Sequence, residues 1–123
     1  MKRLIQRTVV AALAALFAHA GWTLGLGNIS LRSHLNEPLR AELLLLKADG
    51  LDAADIQVGL ASQQEFERLG VDRAYFLTGI VFDVKVVDAT LVAQMTTKMP
   101  LREPYLNFVV EARWPEGRLL REY

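Results

Sequence analysis

Few side chains in this sequence could carry catalysis. The 123-residue chain has no cysteine, and His34 is the only histidine after position 20. Nucleophilic catalysis needs a serine or cysteine beside a base that a third group orients, and His34 lies among turn-forming residues without a G-x-S-x-G pattern. A zinc site needs three or four ligands at a recognisable spacing, which one histidine cannot supply. We therefore expect His34 to lie in a surface turn, and we expect no metal and no cofactor.

Carboxylates are scattered through the sequence without a catalytic pattern. Glu103 precedes Pro104 and Glu116 precedes Gly117, so both flank predicted turns. Two carboxylates that work as acid and base must share a cleft in which their pKa values differ, whereas turn-flanking carboxylates are usually solvated. The segment Asp49-Gly50-Leu51-Asp52 lacks the D-x-D-x-D-G order of a calcium loop. These patterns predict a protein that is not an enzyme.

Arginines near the end of the chain offer a binding surface instead of catalysis. Arg113, Arg118 and Arg121 lie close to Trp114 in the sequence. One interpretation is cross-strand salt bridges on a solvated face, each worth a few tenths to about 1 kcal/mol. The other is a partner-binding surface formed by Arg113, Arg118 and Arg121, because Trp and Arg are enriched at binding hot spots. Trp114 itself is in phase with the apolar positions before it, which favours a place in the core.

Two strands at the end of the chain must position these arginines. From Leu106 to Trp114 the even positions are apolar and most odd positions are polar. This period of two predicts a strand with one buried and one solvated face. Pro115-Glu116-Gly117 predicts a turn, and residues 118–123 predict a return strand.

The sequence before this hairpin predicts five more strands, near residues 28, 42, 58, 83 and 94. The Gly-rich segment Gly21 to Gly27 is predicted to form a flexible lead into the first strand. The second strand, over 39–47, is apolar on both faces in its far half, which predicts a central place in a sheet or between two layers. A helix through the same residues is the alternative, because Leu, Ala, Glu and Lys are good helix formers. The strands near 83 and 94 are predicted to form a hairpin with Asp88-Ala89 as its turn.

One short helix is predicted between the third and fourth strands. Ser62-Gln63-Gln64-Glu65 has the S-x-x-E form of a capping box, and Gly70 suits the C-terminal cap. After this helix, Tyr75 and Phe76 are predicted to plug the end of the core. Together the elements predict an all-β fold, an antiparallel β-sandwich of about seven strands with one short helix between strands 3 and 4.

The first 20 residues have the three-part layout of a secretory signal peptide. Basic residues come first, an apolar run covers residues 8–17, and Ala18-His19-Ala20 has the small-x-small pattern of a cleavage site. We expect cleavage after Ala20 and an exported domain over residues 21–123. An uncleaved signal that tethers the domain to the membrane is the alternative, although the apolar run is shorter than the roughly 20 residues that span a bilayer.

The charge of the predicted exported domain excludes one class of partner. Residues 21–123 carry 11 Lys and Arg against 14 Asp and Glu, because three of the basic residues lie before Ala20. Nucleic-acid affinity rests on Lys and Arg that neutralise phosphates, so we expect no nucleic-acid partner. The sequence has no second apolar run that could span a bilayer, so no stable membrane span is expected after cleavage.

Several ordered blocks of the sequence resemble the N-terminal domain of the FimV/HubP family. The resemblance covers Leu24 to Tyr123, and its longest block is at the end of the chain. The blocks are Leu24-Gly25-Leu26-Gly27, Leu35-Asn36-Glu37-Pro38-Leu39, Leu60-Ala61-Ser62, Arg102-Glu103-Pro104-Tyr105-Leu106 and Trp114-Pro115-Glu116-Gly117-Arg118-Leu119-Leu120-Arg121-Glu122-Tyr123.

The resemblance implies a non-catalytic periplasmic scaffold or adaptor domain at the head of a large inner-membrane protein of Gram-negative bacteria. It links the chain to type IV pilus assembly, twitching motility and cell-pole organisation, with envelope or pilus-assembly proteins as partners. Without the LysM module that usually follows this domain in the family, no peptidoglycan contact is expected. The alternatives are a periplasmic domain that binds cell wall or a small ligand, and a truncated fragment without independent function.

The last strand in the family extends beyond the Arg-Glu-Tyr that ends this sequence. We therefore expect the domain over residues 21–123 to be cut short at its last strand. A strand from another chain could then complete the sheet.

Overall fold

The computed structural model describes residues 24–123, which fold into seven strands, one α-helix and two 3-10 helices. The predicted signal peptide at residues 1–20 lies outside the described residues. The 3-10 helices cover Ala53–Asp55 and Tyr75–Gly79. The other elements are β1 (Gly25–Leu31), β2 (Pro38–Leu46), β3 (Gln57–Leu60), α1 (Gln63–Leu69), β4 (Val81–Val87), β5 (Thr90–Pro100), β6 (Val109–Trp114) and β7 (Gly117–Glu122).

The strands form two antiparallel sheets, which confirms the predicted sandwich. The four-stranded sheet has the order β1-β2-β5-β4, and the three-stranded sheet has the order β3-β6-β7. One continuous core contains buried side chains from both sheets, such as Leu43 of β2, Met95 of β5 and Val110 of β6. The helix α1 lies between β3 and β4 in sequence, as predicted, and contributes the fully buried Phe66 to this core.

The second strand occupies the central position that its sequence predicts, between β1 and β5. Its inner face is buried at four alternate residues, Leu39, Ala41, Leu43 and Leu45. Its outer face is not covered by a second layer, because the side chains of Leu44 and Leu46 remain 37% and 42% exposed. The prediction that both faces of this strand are buried is therefore wrong.

Gly25 and Gly27 lie inside β1, so the prediction of a flexible lead is wrong for the described part of that segment. Leu26 pairs with Leu45 and Ile29 pairs with Leu43, which leaves two residues of β1 opposite one residue of β2 in a β-bulge. A Cβ atom on Gly27 would lie 3.0 Å from the carbonyl oxygen of Leu44. Glycine thus allows the two strands to approach closely at the bulge.

The hairpin of β4 and β5 and the caps of α1 follow the local sequence as predicted. Asp88 and Ala89 have φ angles of 50° and 62°, which is the left-handed pair of a two-residue type I′ turn. The hydroxyl oxygen of Ser62 accepts a hydrogen bond from the backbone N–H of Glu65 at 3.4 Å, which is one half of the predicted capping box. Gly70 ends the helix with a φ of 71°.

Two predictions about burial are wrong for reasons that lie in the tertiary structure. Tyr75 is 90% exposed and Phe76 is 37% exposed, whereas Leu77, at 1%, is the buried side chain of this 3-10 helix. In β6, Val109 is fully buried and Glu111 is only 9% exposed, although both lie on the face predicted to be solvated. The helix α1 lies over this face, where its Glu65 forms an ion pair with Arg118 of β7.

Candidate partner-binding surface

Two of the three arginines singled out in the sequence lie together on the three-stranded sheet. Arg113 of β6 and Arg118 of β7 are directly opposite each other across the strand pair, so their side chains share a face. The side chain of Arg113 is 61% exposed and that of Arg118 is 48% exposed. Both guanidinium groups are therefore accessible to a partner.

Two shielded carboxylates hold these arginines in place. Arg118 lies 3.0 Å from a carboxylate oxygen of Glu65 and 3.8 Å from one of Glu111, and Arg113 donates a hydrogen bond to the same oxygen of Glu111. The carboxylate of Glu65 also lies 2.6 Å from the guanidinium of Arg68, one turn along α1. We call this set of Arg68, Arg113, Arg118, Glu65 and Glu111 the arginine face.

The charge balance of the arginine face is positive. Three guanidinium groups surround two carboxylates, and the side chains of Glu65 and Glu111 are only 15% and 10% exposed. The hydrogen bond from Arg68 holds the pKa of Glu65 below its ordinary value, and Arg118 acts in the same direction. Glu65 therefore stays ionised at neutral pH, and the exposed part of the face is cationic.

A groove of about 400 Å³ lies beside the arginine face. Its floor follows the short strand β3, where a Cβ atom on Gly59 would meet nothing within 4 Å. Arg113 and Glu111 form one wall, and Ser62 lies at the start of α1 on another side. A peptide segment seated in this groove would thus contact both the strand backbone and the guanidinium of Arg113.

Arg121 lies apart from the other two arginines and has a different environment. It pairs with Val110, which places it on the opposite face of the sheet from Arg113 and Arg118. Its guanidinium donates hydrogen bonds to the backbone carbonyls of Leu26 and Gly27 in β1, at 2.7 and 3.1 Å. Arg121 thus links the edges of the two sheets.

Tyr123 reinforces this link between the sheets. Its hydroxyl donates a hydrogen bond of 2.6 Å to the carbonyl of Gly27, and the guanidinium of Arg121 lies 4.7 Å from the centre of its ring. Burial raises the pKa of Tyr123 above its ordinary value, against the lowering effect of the neighbouring Arg121. The phenol is therefore protonated, and able to donate, throughout the neutral pH range. We call Arg121 and Tyr123, with the β1 carbonyls they bind, the β1 clamp.

The remaining candidate residues lie at the surface or at the margin of the core. Trp114 is half-buried and packs against the core, as predicted. His34 is exposed, and its backbone N–H donates to the carboxylate of Glu37 in the predicted surface turn. Glu103 and Glu116 are both exposed. Among residues 24–123, no group of three or more His, Cys, Asp or Glu side chains could hold a metal ion, and no helix is long and apolar enough to cross a membrane.

Sequence reasoning missed the two carboxylates of the arginine face. Glu65 was assigned to the capping box, but its carboxylate binds Arg68 and Arg118 instead. Glu111 was assigned to a solvated face that α1 covers. The spacing of Glu111 and Arg113, two residues apart on one strand, already places them on the same side of the sheet and was the available signal.

Comparison with known proteins gives a consistent result across the described domain. Residues 24–123 match the FimV N-terminal domain, which is described as an Ig-like domain. Two similar proteins, from Pseudomonas aeruginosa strains ATCC 15692 and UCBPP-PA14, are both named motility hub protein FimV. Each is 46% identical over 121 residues, which covers 95% of this chain and 13% of the relative. No solved structure matches the chain.

Proposed function

The chain belongs to the FimV N-terminal domain family, and on that premise we propose that it is a non-catalytic periplasmic adaptor domain of the motility machinery. The name of the relatives, motility hub protein, supports a role in bringing other proteins together. The chain spans only 13% of the length of these relatives, so the proposal concerns this domain and not the whole of such a protein. Its partners are envelope or pilus-assembly proteins.

The arginine face is the observation that carries this proposal. Arg113 and Arg118 are exposed, yet carboxylates with little exposure fix their orientation. A side chain that is already ordered loses less conformational entropy on binding, and a guanidinium can bind a carboxylate through two parallel hydrogen bonds. The geometry therefore favours a protein partner with an acidic surface.

A chimaera with the Pseudomonas aeruginosa relative tests the proposed adaptor function through twitching motility. The segment of Pseudomonas aeruginosa FimV that matches this chain is replaced by residues 21–123, and the diameter of the twitching zone is measured. We expect the chimaera to support twitching. The double variant Arg113→Glu/Arg118→Glu should lose most of that activity, because an acidic partner would then meet four negative charges.

The matched control changes the same number of charges elsewhere. Arg40 and Arg102 are exposed and lie outside the arginine face, so Arg40→Glu/Arg102→Glu should twitch like the unmodified chimaera. The milder double variant Arg113→Lys/Arg118→Lys keeps the charge but loses the guanidinium geometry, and should give an intermediate zone. Circular dichroism of the purified variants checks that each one folds. Full twitching by a folded Glu double variant would contradict the role of the arginine face.

The absence of catalysis is tested separately. Purified protein is incubated with isolated peptidoglycan, and the soluble fragments are measured by mass spectrometry. We expect no fragments above those of a heat-denatured sample. Release of fragments by the folded protein would replace the adaptor proposal with that of a wall hydrolase.

A further inference from the structure

The four edge strands of the sandwich differ in how they are protected. The β1 clamp joins the edge of β1 to the end of β7 and occupies backbone carbonyls of β1, and β3 is only four residues long. In contrast, β4 has seven residues, and within the described part of the chain β5 is the only strand that pairs with it. The backbone N–H and C=O groups on the other side of β4 have no strand partner among the described residues, although β3 and the 3-10 helix over Ala53–Asp55 lie close to this strand. A strand that pairs with β4 must therefore lie beside these residues.

The side chains of β4 are unusual for an edge that faces only water. Val81 is 53% exposed and Val86 is 63% exposed. Natural edge strands usually carry charges that discourage pairing, and β4 has only Asp83 and Lys85, which form an ion pair of 3.2 Å with each other. The two charges thus nearly cancel, and the strand retains an apolar edge.

The order of residues in β4 is complementary to itself. Two copies can pair antiparallel about a two-fold axis that is perpendicular to the sheet. Directly opposite residues of such a pair point to the same face of the sheet, so the axis must lie at a residue that is opposite the same residue of the other copy. With the axis at Val84, Asp83 of each copy lies opposite Lys85 of the other. The apolar residues then also meet, Phe82 opposite Val86 and Val81 opposite Val87.

The neighbouring registers are excluded by the same charges. An axis at Asp83 places two aspartates opposite each other, and an axis at Lys85 places two lysines opposite each other. Like charges in directly opposite positions destabilise a strand pair. One register alone therefore combines full overlap of β4 with opposite charges.

The space beside β4 suits such a partner. A cleft of about 390 Å³ lies between β4 and the segment over 53–58, and Phe82 and Val84 form part of its lining. In the Val84 register, Val86 of the second copy lies opposite Phe82 at the mouth of this cleft. Apolar side chains that are now exposed on both copies would then leave water.

We propose that two copies of this domain associate through β4 and form a continuous antiparallel sheet of eight strands. Each copy contributes its four-stranded sheet, and the contact is the same patch on both copies. The occupant of the β4 edge is thus a second copy of this chain. The arginine face lies on the other sheet, so this inference does not depend on the proposed function.

Charge-swapped variants test the proposal by sedimentation velocity over a range of concentrations. The exported protein should form a dimer. Asp83→Lys alone and Lys85→Asp alone should each weaken dimerisation about tenfold or more, because both interstrand charge pairs become repulsive. The double variant Asp83→Lys/Lys85→Asp should restore the affinity of the wild-type protein.

Mixing the two single variants gives the sharpest result. A chain with lysines at both positions is complementary to a chain with aspartates at both positions, so an equimolar mixture should form a heterodimer although each variant alone stays monomeric. Circular dichroism confirms that both variants fold. A wild-type protein that is monomeric up to near-millimolar concentration would overturn the proposal, as would a mixture that stays monomeric. A dimer that persists unchanged in both single variants would also overturn it, because the contact would then lie elsewhere.

Discussion

The arginines at the end of the chain have two different environments because of their position on the sheet. Arg113 and Arg118 point to the face that α1 partly covers, where Glu65 and Glu111 bind them. Arg121 points to the opposite face, where its partners are uncharged backbone carbonyls of β1. A hydrogen bond from a charged donor to an edge carbonyl contributes to folding, so we propose that Arg121 contributes to stability.

The role of Arg121 leads to a prediction about stability. Arg121→Ala removes both hydrogen bonds to β1, and we expect the free energy of unfolding to fall by about 1–2 kcal/mol. The value is measured by urea denaturation of the purified protein. Arg102→Ala, a change at an exposed arginine in the link before β6, should alter stability by less than about 0.5 kcal/mol. If Arg121→Ala lowers stability no more than Arg102→Ala does, the two hydrogen bonds from Arg121 contribute nothing measurable.

At the scale of single elements, the β4–β5 hairpin has a strained turn. Its two turn residues, Asp88 and Ala89, both have positive φ angles. Aspartate tolerates this conformation because its short polar side chain can bond locally, but the Cβ of alanine is crowded there. The type I′ turn matches the twist of the two strands, but it places Ala89 in a strained backbone conformation.

Replacing Ala89 by glycine should relieve this strain. We expect Ala89→Gly to raise the free energy of unfolding by about 0.5–1 kcal/mol, the net of less native strain and a more flexible unfolded chain. The matched control is Ala54→Gly, at an exposed alanine without a positive φ, which should instead lower stability by about 0.5–1 kcal/mol. Urea midpoints of the two variants measure the difference. A loss of stability in Ala89→Gly would contradict the assignment of strain to this turn.

The elements that sequence predicted well are those fixed by neighbouring residues. Ser62 and Gly70 determine the ends of α1 through their own backbone and side-chain bonds. The period of two in β4 and β5, with Asp88 between them, gave the hairpin. These patterns also gave the sandwich, because seven short strands can bury their apolar faces only against one another.

The elements predicted wrongly depend on contacts between distant residues. Gly27 belongs to a strand because it lies against Leu44, and nothing near Gly27 in sequence shows this approach. Glu111 is shielded on the face where Arg113 and Arg118 bind its carboxylate and where Glu65 of α1, about 45 residues earlier, binds Arg118. The same holds for Glu65 of the arginine face, which meets Arg118 only when the helix packs against the hairpin.

At the scale of the whole molecule, the two proposed interaction surfaces are separate. The arginine face lies on the outside of the three-stranded sheet, and the β4 edge belongs to the four-stranded sheet. On the side of the sandwich where β1 meets β7, the β1 clamp joins the two sheets. A dimer through β4 would therefore leave both arginine faces free, and each dimer could bind two partners at once.

Cleavage of the predicted signal peptide determines where the domain is located. The small residues Ala18 and Ala20 suit the cleavage site of a signal peptidase, so the protein from a periplasmic fraction should begin at Gly21. Intact-mass measurement and N-terminal sequencing test this. Ala18→Arg places a large charged residue where the peptidase accepts small ones, and this variant should keep its signal and remain with the membrane fraction. If the wild-type protein also remains uncleaved in the membrane fraction, the signal acts as an inner-membrane tether, and the β4 edge and the arginine face then act at the membrane surface.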